Sequence, residues 1–294
     1  MDMLQRWLLT AVWCLVALPA IAGELVVDVL DVGQGDAVLI RTSEKTVLID
    51  AGTAKSAVPR QLRQLGVNRL DLVVATHPHA DHIGGMANVV DAFEIGLYLD
   101  SGQTHTTMTY ANTMEAVERR AVPYRTAQQG MTLRLGDEAT FTVLHPGPTL
   151  IRNTRSDLNS NSVVLELVHG DTRWLFTGDA EDPTERALMG RDVGDIDVLK
   201  VAHHGSGHSS SRSFLARVQP DVALISCGVK NRYGHPDPET VDRLEQAGAT
   251  IYRTDRSEHI RLWSDGQQIE TFEGPLSEIV ALTVQPFAPT DTGE

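Results

Sequence analysis

The segment Thr76-His77-Pro78-His79-Ala80-Asp81-His82-Ile83-Gly84-Gly85 follows directly on the apolar run Leu70–Ala75. Three histidines and an aspartate fall within six residues where the chain leaves a strand, which supplies four side chains able to converge on metal ions. A solvated polar turn calls for Gly or Asn, not for metal-ligand types in alternation. His77 and His79 lie two apart in extended backbone and share a face, whereas Asp81 and His82 follow a change of direction toward a helix. That geometry suits two metals side by side.

Two later segments extend the set. Phe176-Thr177-Gly178-Asp179 places a carboxylate, the group able to bridge two cations, behind a glycine at a strand end. Lys200-Val201-Ala202-His203-His204-Gly205-Ser206 places a histidine pair at the end of another apolar strand. Around these segments the hydrophobic pattern predicts strands at Leu25–Leu30, Asp36–Arg41, Thr46–Ile49, Leu70–Thr76, Thr140–Leu144, Val163–Val168, Arg173–Thr177, Val198–Val201 and Val222–Ser226, with more strand at Thr250–Tyr252, His259–Trp263 and Gln268–Phe272. Helices are predicted at Lys55–Leu65, Gly84–Phe93, Thr109–Arg120, Pro183–Met189, Ser211–Val218 and Pro238–Gln246. Strands in runs with helices arriving after them imply an α+β fold, a four-layer αββα sandwich assembled from two halves. The polar clusters all fall at strand ends, where rigid scaffolds carry sites.

The chain has 294 residues, 41% hydrophobic and 22% charged, which excludes wholesale disorder. Its net charge of −14 argues against a protein that coats nucleic acid through a basic face, though not against local chemistry on phosphates. Two cysteines, Cys14 and Cys227, exclude a disulfide framework and a Cys-rich zinc module. Residues 1–22 carry Arg6, an apolar run from Trp7 and the small-x-small exit Ala20-Ile21-Ala22, the pattern of a cleaved signal peptide. The 16 residues from Trp7 to Ala22 fall short of the roughly 20 that span a bilayer. One domain is expected over residues 23–285, followed by a flexible polar tail at 286–294, in an exported protein, periplasmic or secreted, without stable membrane association.

These residues resemble the metallo-β-lactamase-fold hydrolases. Within them, Asp31-Val32-Gly33-Gln34-Gly35-Asp36-Ala37, Leu48-Ile49-Asp50-Ala51-Gly52, Lys200–Ser206 and Asn231-Arg232-Tyr233-Gly234-His235-Pro236 are similar to the extracytoplasmic nuclease-like domain of the ComEC competence (DNA-uptake) proteins, in order from about Leu25 to Asp255. The resemblance implies two divalent metals, Zn²⁺ or Mn²⁺ with Mg²⁺ as a further option. His77 and His79 would hold the first, Asp81 and His82 the second, and Asp179 would bridge. His203 or His204 would close the second site; spacing does not decide, and His203 is favoured as nearer the strand end. Where many relatives have His-Thr before a strand, this chain has Asn159-Ser160-Asn161-Ser162. Asn161 is then expected as a harder, weaker ligand that shifts the first site toward Mn²⁺ or Mg²⁺.

Other residues are expected in support. Asp50 would orient the ligand loop. Gln34 and Asp36, in a loop with Gly33 and Gly35, would touch substrate or set loop geometry. Lys200 either snorkels to the surface or stabilises a phosphate near the metals. His235 is a candidate general acid or phosphate-binding group, and Ser206 a candidate supporting or substrate contact. His105, His145, His169, His208 and His259 lack ligand spacing. The expected reaction is phosphodiester hydrolysis, most simply of DNA, by a hydroxide bridging the metals, with Asp81 and Asp179 holding the centre and His235 or Lys200 serving the departing oxygen. The alternatives are another envelope substrate (a phosphorylcholine or cell-wall phosphodiester, a lactone, a β-lactam) or a non-enzymatic exported binding protein that keeps a metal site. Oligomeric state is not legible.

Overall fold

Period-two alternation sorts the strand residues into two packing layers. Leu25, Val27 and Val29, Val47 and Ile49, and Leu72 and Val74 face one buried cluster together with Leu165, Leu167, Trp174, Phe176, Val198 and Leu224 from the second half. The intervening residues turn the other way: Leu48 and Val73 into one outer cluster, Leu175, Leu199, Ala223 and Ile225 into another. This computed structural model describes residues 23–137, 139–191 and 193–282; the expected signal peptide and polar tail lie outside the described residues.

The first sheet has eight strands, in the order Ile269–Gly274, His259–Ser264, Leu25–Val29, Val38–Arg41, Thr46–Ile49, Leu72–Ala75, Tyr98–Asp100 and Tyr124–Thr126. The second has seven, in the order Thr250–Arg253, Val222–Ile225, Val198–Lys200, Thr172–Phe176, Val164–His169, Ala139–His145 and Thr132–Arg134. Helices Val58–Gln64, Met86–Ala92 and Met108–Arg119 cover the first sheet, their apolar stripes (Val58 and Leu62; Met86, Val89 and Val90; Ala116 and Val117) joining its outer cluster. Asp182–Met189, Arg212–Val218 and Pro238–Gln246 cover the second through Leu188, Phe214, Leu215, Val218 and Leu244. The four-layer αββα sandwich is therefore observed.

The division into halves differs in one respect from the expectation. The C-terminal hairpin His259–Gly274 crosses back and pairs antiparallel with Leu25–Val29 in the first sheet. A buried ion cluster fixes that crossing. Arg261 Nε donates to Asp28 Oδ1 at 2.6 Å, and Arg41 Nη2 donates to Asp28 Oδ2 at 2.7 Å. Arg261 Nη1 also donates to the Ile279 carbonyl at 2.8 Å, tying down the last helix, Leu276–Ala281.

Removing one partner of a buried pair leaves an uncompensated charge. Asp28→Ala is expected to lower the unfolding free energy by about 3–5 kcal/mol, read from the denaturant midpoint at unchanged slope. A loss below about 1 kcal/mol would show that the hairpin is held by its ladder alone.

Candidate metal centre

Several parallel strands end at the same rim. Thr46–Ile49 pairs parallel with Leu72–Ala75 in the first sheet, and Thr172–Phe176, Val198–Lys200 and Val222–Ile225 run parallel in the second. The crevice beyond the carboxyl ends of parallel strands is where such sheets build sites. The residues that follow are Asp50, Thr76-His77, Asp179, His203-His204 and Ser226.

Asp50 organises the first side. It is fully buried with φ at 59°, and its carboxylate accepts from the Thr76 amide at 2.8 Å and from Thr76 Oγ1 at 2.7 Å. His82 Nδ1 lies 2.7 Å from Asp50 Oδ2. The Thr76 hydroxyl, having given its proton to Asp50, accepts from His77 Nδ1 at 3.1 Å. Both rings are thereby set to present Nε2 to Asp179, the way an outer carboxylate orients ligating imidazoles. Burial pushes the Asp50 carboxyl above its ordinary range, and His82 only partly offsets this.

On the second side, His204 Nδ1 donates to the Ser226 carbonyl at 2.9 Å, with Asp36 Oδ1 3.3 Å away, so Nε2 is again the free nitrogen. All of these atoms meet at Asp179. Its Oδ1 lies 3.1 Å from His82 Nε2 and 3.7 Å from His204 Nε2. Its Oδ2 lies 3.6 Å from His77 Nε2 and 3.7 Å from His203 Nε2. His79 Nδ1 sits 2.9 Å from His77 Nε2, and Asp81 Oδ2 sits 3.4 Å from His204 Nε2.

The electrostatics match this crowding. Burial opposes charge on Asp179, but His82, His203, His204 and His77 outweigh it and hold the carboxyl well below the usual range. Burial would likewise lower His82, yet Asp179 and Asp50 drive it well above an ordinary histidine. Burial and the neighbouring His82 charge push His77 well below. His82 Nε2, His204 Nε2 and Asp179 Oδ1 are all buried without a hydrogen-bond partner among the described residues. Buried polar atoms nearly always find partners. Three orphans facing one another, in a set of imidazole nitrogens and carboxylate oxygens, fit a divalent cation.

Gly35 lets the Gln34–Asp36 loop close on the ligand loop. A Cβ there would stand 2.2 Å from the Asp81 carbonyl, whose oxygen accepts from the Asp36 amide at 3.1 Å. Gln34 lines a cavity of about 370 Å³ together with His79, Asp81, Asn159, Asp179, His203, His204, Tyr233 and His235. Burial, then His203 and His204, push His235 down to about 4, so at neutral pH its ring is neutral and carries no proton to spare as a charged acid.

Four expectations need correcting. The histidine beside Asp81 and Asp179 Oδ1 is His204, not His203; His203 lies across Asp179, its Nδ1 3.4 Å from Glu181 Oε1. Both take left-handed backbone (φ 51° and 55°), so the chain doubles back, and sequence distance from the strand does not rank distance from the cluster. Asn161 is not at the cluster. Its amide accepts from the Ile151 amide at 2.8 Å and donates to the Ile151 and Asp157 carbonyls at 2.8 and 2.7 Å, closing a loop.

Lys200 neither snorkels nor reaches the cavity. It is buried, donating to Asp36 Oδ2 at 2.8 Å and the Val201 carbonyl at 3.2 Å, which also makes Asp36 a support beneath His204 instead of a substrate contact. Ser206 is buried; its hydroxyl accepts from the His208 amide at 3.4 Å, and it lines a neighbouring cavity together with His79, His203 and His235.

The side chain missed is Asn159. It lines the cavity, donates to Glu181 Oε1 at 3.2 Å, lies 3.4 Å from His203 Nδ1, and leaves a buried Oδ1 without a partner among the described residues. Residues 159–161 form a 3₁₀ turn, in which positions two apart point to different sides. The missed signal was therefore that only one of the two asparagines could face inward.

Comparison with known proteins agrees with this architecture. The family model for the metallo-beta-lactamase superfamily matches residues 30–229. Competence protein ComA of Neisseria gonorrhoeae is 34% identical over 239 residues, covering 80% of this chain and 31% of that protein. ComE operon protein 3 of Bacillus subtilis is 28% identical over 269 residues, covering 84% and 34%. The chain thus spans about a third of the length of these relatives. Among solved structures, the metallo-beta-lactamase fold protein YhfI from Bacillus subtilis superposes with a TM-score of 0.53 at 14% identity, over 85% of this chain and 100% of that one. CmlA, a diiron beta-hydroxylase from Streptomyces venezuelae, superposes with a TM-score of 0.55 at 15% identity, over 85% and 54%. At these identities the superpositions speak for the fold alone.

The geometry separates His204 from Asn161. His204→Ala is expected to lower the metal retained per chain after dialysis, measured by plasma mass spectrometry, at least tenfold in affinity at one site. Asn161→Ala should retain metal as the parent does while loosening the loop around Ile151–Asp157. Equal metal loss in the two variants would contradict the placement.

Proposed function

Because the chain belongs to the metallo-β-lactamase superfamily, we propose that it is an exported metal-dependent phosphodiesterase that cleaves DNA and holds two divalent cations. The observation that carries this reading is the set of buried His82 Nε2, His204 Nε2 and Asp179 Oδ1 atoms, unpartnered among the described residues, beside a cavity that His204 and Asp179 line. His77, His79 and His203 would hold one cation with Asp179 Oδ2. Asp81, His82 and His204 would hold the other with Asp179 Oδ1. Cations bound there would supply positive charge to a phosphoryl oxygen and lower the pKa of a water enough to make it a nucleophile at neutral pH.

The remaining work falls to the protein's own groups. Asp50, Thr76, Asp36 and the Ser226 carbonyl fix ring tautomers, so no reorganisation is needed when substrate arrives. His235, neutral and half-buried beside His203 and His204, is suited to hydrogen-bond a phosphate oxygen. Kinship with a gonococcal competence protein and with recombination protein 2 of Haemophilus influenzae, 32% identical over 244 residues, favours DNA over the other substrates. Export rests on the leader pattern at residues 1–22, and no helix among the described residues is long and apolar enough to cross a membrane.

The test is turnover of single-stranded DNA, bis(p-nitrophenyl) phosphate and a chromogenic β-lactam in parallel with Mn²⁺ supplied. Phosphodiester cleavage that Asp179→Asn cuts at least about 100-fold, more than loss of a supporting residue costs, is expected, with an unchanged far-UV spectrum. Lactam turnover without phosphodiester cleavage would overturn the proposal. Export is checked separately: the periplasmic or secreted form should begin at Gly23, and a mature protein still starting at Met1 would contradict cleavage.

A further inference from the structure

A second cavity of about 550 Å³ adjoins the cluster and shares Gln34, Ala80, Asp81 and Tyr233 with the first. Its wall carries Lys55, Arg232 and Tyr233. Among the described residues the three most exposed large apolar side chains are Met108 (73%), Val229 (69%) and Tyr233 (52%). Tyr233 is in its wall, Val229 belongs to the loop that carries Tyr233, and Met108 lies between cavity-lining Thr107 and Thr109.

The loop is built to hold Tyr233 still. Asn231 Nδ2 donates to the Gly228 and His235 carbonyls at 2.9 and 2.6 Å, and its Oδ1 accepts from the Tyr233 and His235 amides at 3.2 and 3.0 Å. The Tyr233 ring stacks on His235 at 5.9 Å with 13° between planes, and Arg232 lies 4.9 Å from the ring centroid. Gln34 Oε1 accepts from the Gly228 amide at 3.2 Å, while Gln34 Nε2 is buried with no partner among the described residues. A rigid aromatic left half exposed, cations beside it and an orphaned amide donor below it make poor sense as structure. In a chain of net charge −14, a basic and aromatic wall beside the cluster suits an anion that carries flat rings.

We propose that this cavity is a nucleotide subsite: one unpaired base of a nucleic-acid strand takes the place of the Arg232 guanidinium over the Tyr233 ring, Gln34 Nε2 donates to a strand oxygen, and Arg232, released from the Tyr233 hydroxyl, joins Lys55 on the phosphate next to the one cleaved. The inference rests on the phosphodiesterase reading and adds to it a specificity element. The base must be unpaired, because within a duplex its faces are covered by stacked neighbours and the cavity has the volume of one small ligand.

The test uses the full chain with Ca²⁺ present to separate binding from cleavage. Fluorescence anisotropy compares labelled oligothymidylate with an abasic deoxyribose-phosphate oligomer of equal length. The parent protein should prefer the base-bearing strand by roughly 5- to 150-fold, the span for one base–aromatic stack. Tyr233→Ala should erase that preference and Tyr233→Trp should keep it. A preference that survives Tyr233→Ala, or a parent that binds both strands alike, overturns the subsite. In the latter case, cleavage of both strands in Mn²⁺ leaves the phosphodiesterase reading standing. Failure to bind either strand or to turn over bis(p-nitrophenyl) phosphate removes both.

Discussion

The buried carboxylate of Asp50 is the constraint on which the centre depends. It has no solvent to lean on, so it is stable only while Thr76 and His82 satisfy it. By accepting those bonds it fixes the His82 ring directly and the His77 ring through the Thr76 hydroxyl. The rings then have no freedom to turn their open nitrogens away from Asp179. The same logic repeats behind His204, where Asp36, from the loop between first-sheet strands Leu25–Val29 and Val38–Arg41, is neutralised by the buried Lys200 ammonium of the second sheet. Both outer carboxylates come from the first half of the chain, and Asp179 of the second half is the point where the two meet.

That arrangement explains why the fold has to be a sandwich of this kind. The ligand loops leave strands that run parallel within each sheet, and the inter-sheet core of Trp174, Phe176, Phe141 and their neighbours holds those strand ends in register. The Asp28–Arg41–Arg261 cluster lies on the face of the first sheet turned away from that core and anchors the returning C-terminal hairpin. Stability and chemistry thus occupy different layers.

Much of this was legible in the sequence. Continuous apolar runs such as Thr46–Ile49, strands with clear alternation such as Ala139–His145, and helices with a defined start, such as Pro238–Gln246 behind the Asp237 cap, declare themselves locally. Tyr98–Asp100, Tyr124–Thr126 and Thr132–Arg134, three residues each, are too short to show a period; the first two form by pairing with strands more than twenty residues away, and the third as the edge of a hairpin with Ala139–His145. The ligand motif at His77–His82 was readable because spacing in one loop fixes direction. The choice between His203 and His204, and between Asn159 and Asn161, was not. Each turns on a local backbone reversal, and neighbours in sequence then face opposite ways. Lys200 was misplaced for a related reason: its partner Asp36 is 164 residues away, and no local pattern announces a buried ion pair.

In the proposed centre Asp179 would stand between two cations held by opposite sets of side chains. Anomalous diffraction from crystals grown with Mn²⁺, collected at the manganese edge, locates both positions. Two peaks are predicted, one beside Asp179 Oδ2 with His77, His79 and His203, the other beside Oδ1 with Asp81, His82 and His204. A peak at Asn161, or a single peak out of contact with Asp179, would show that Asp179 does not bridge a metal pair.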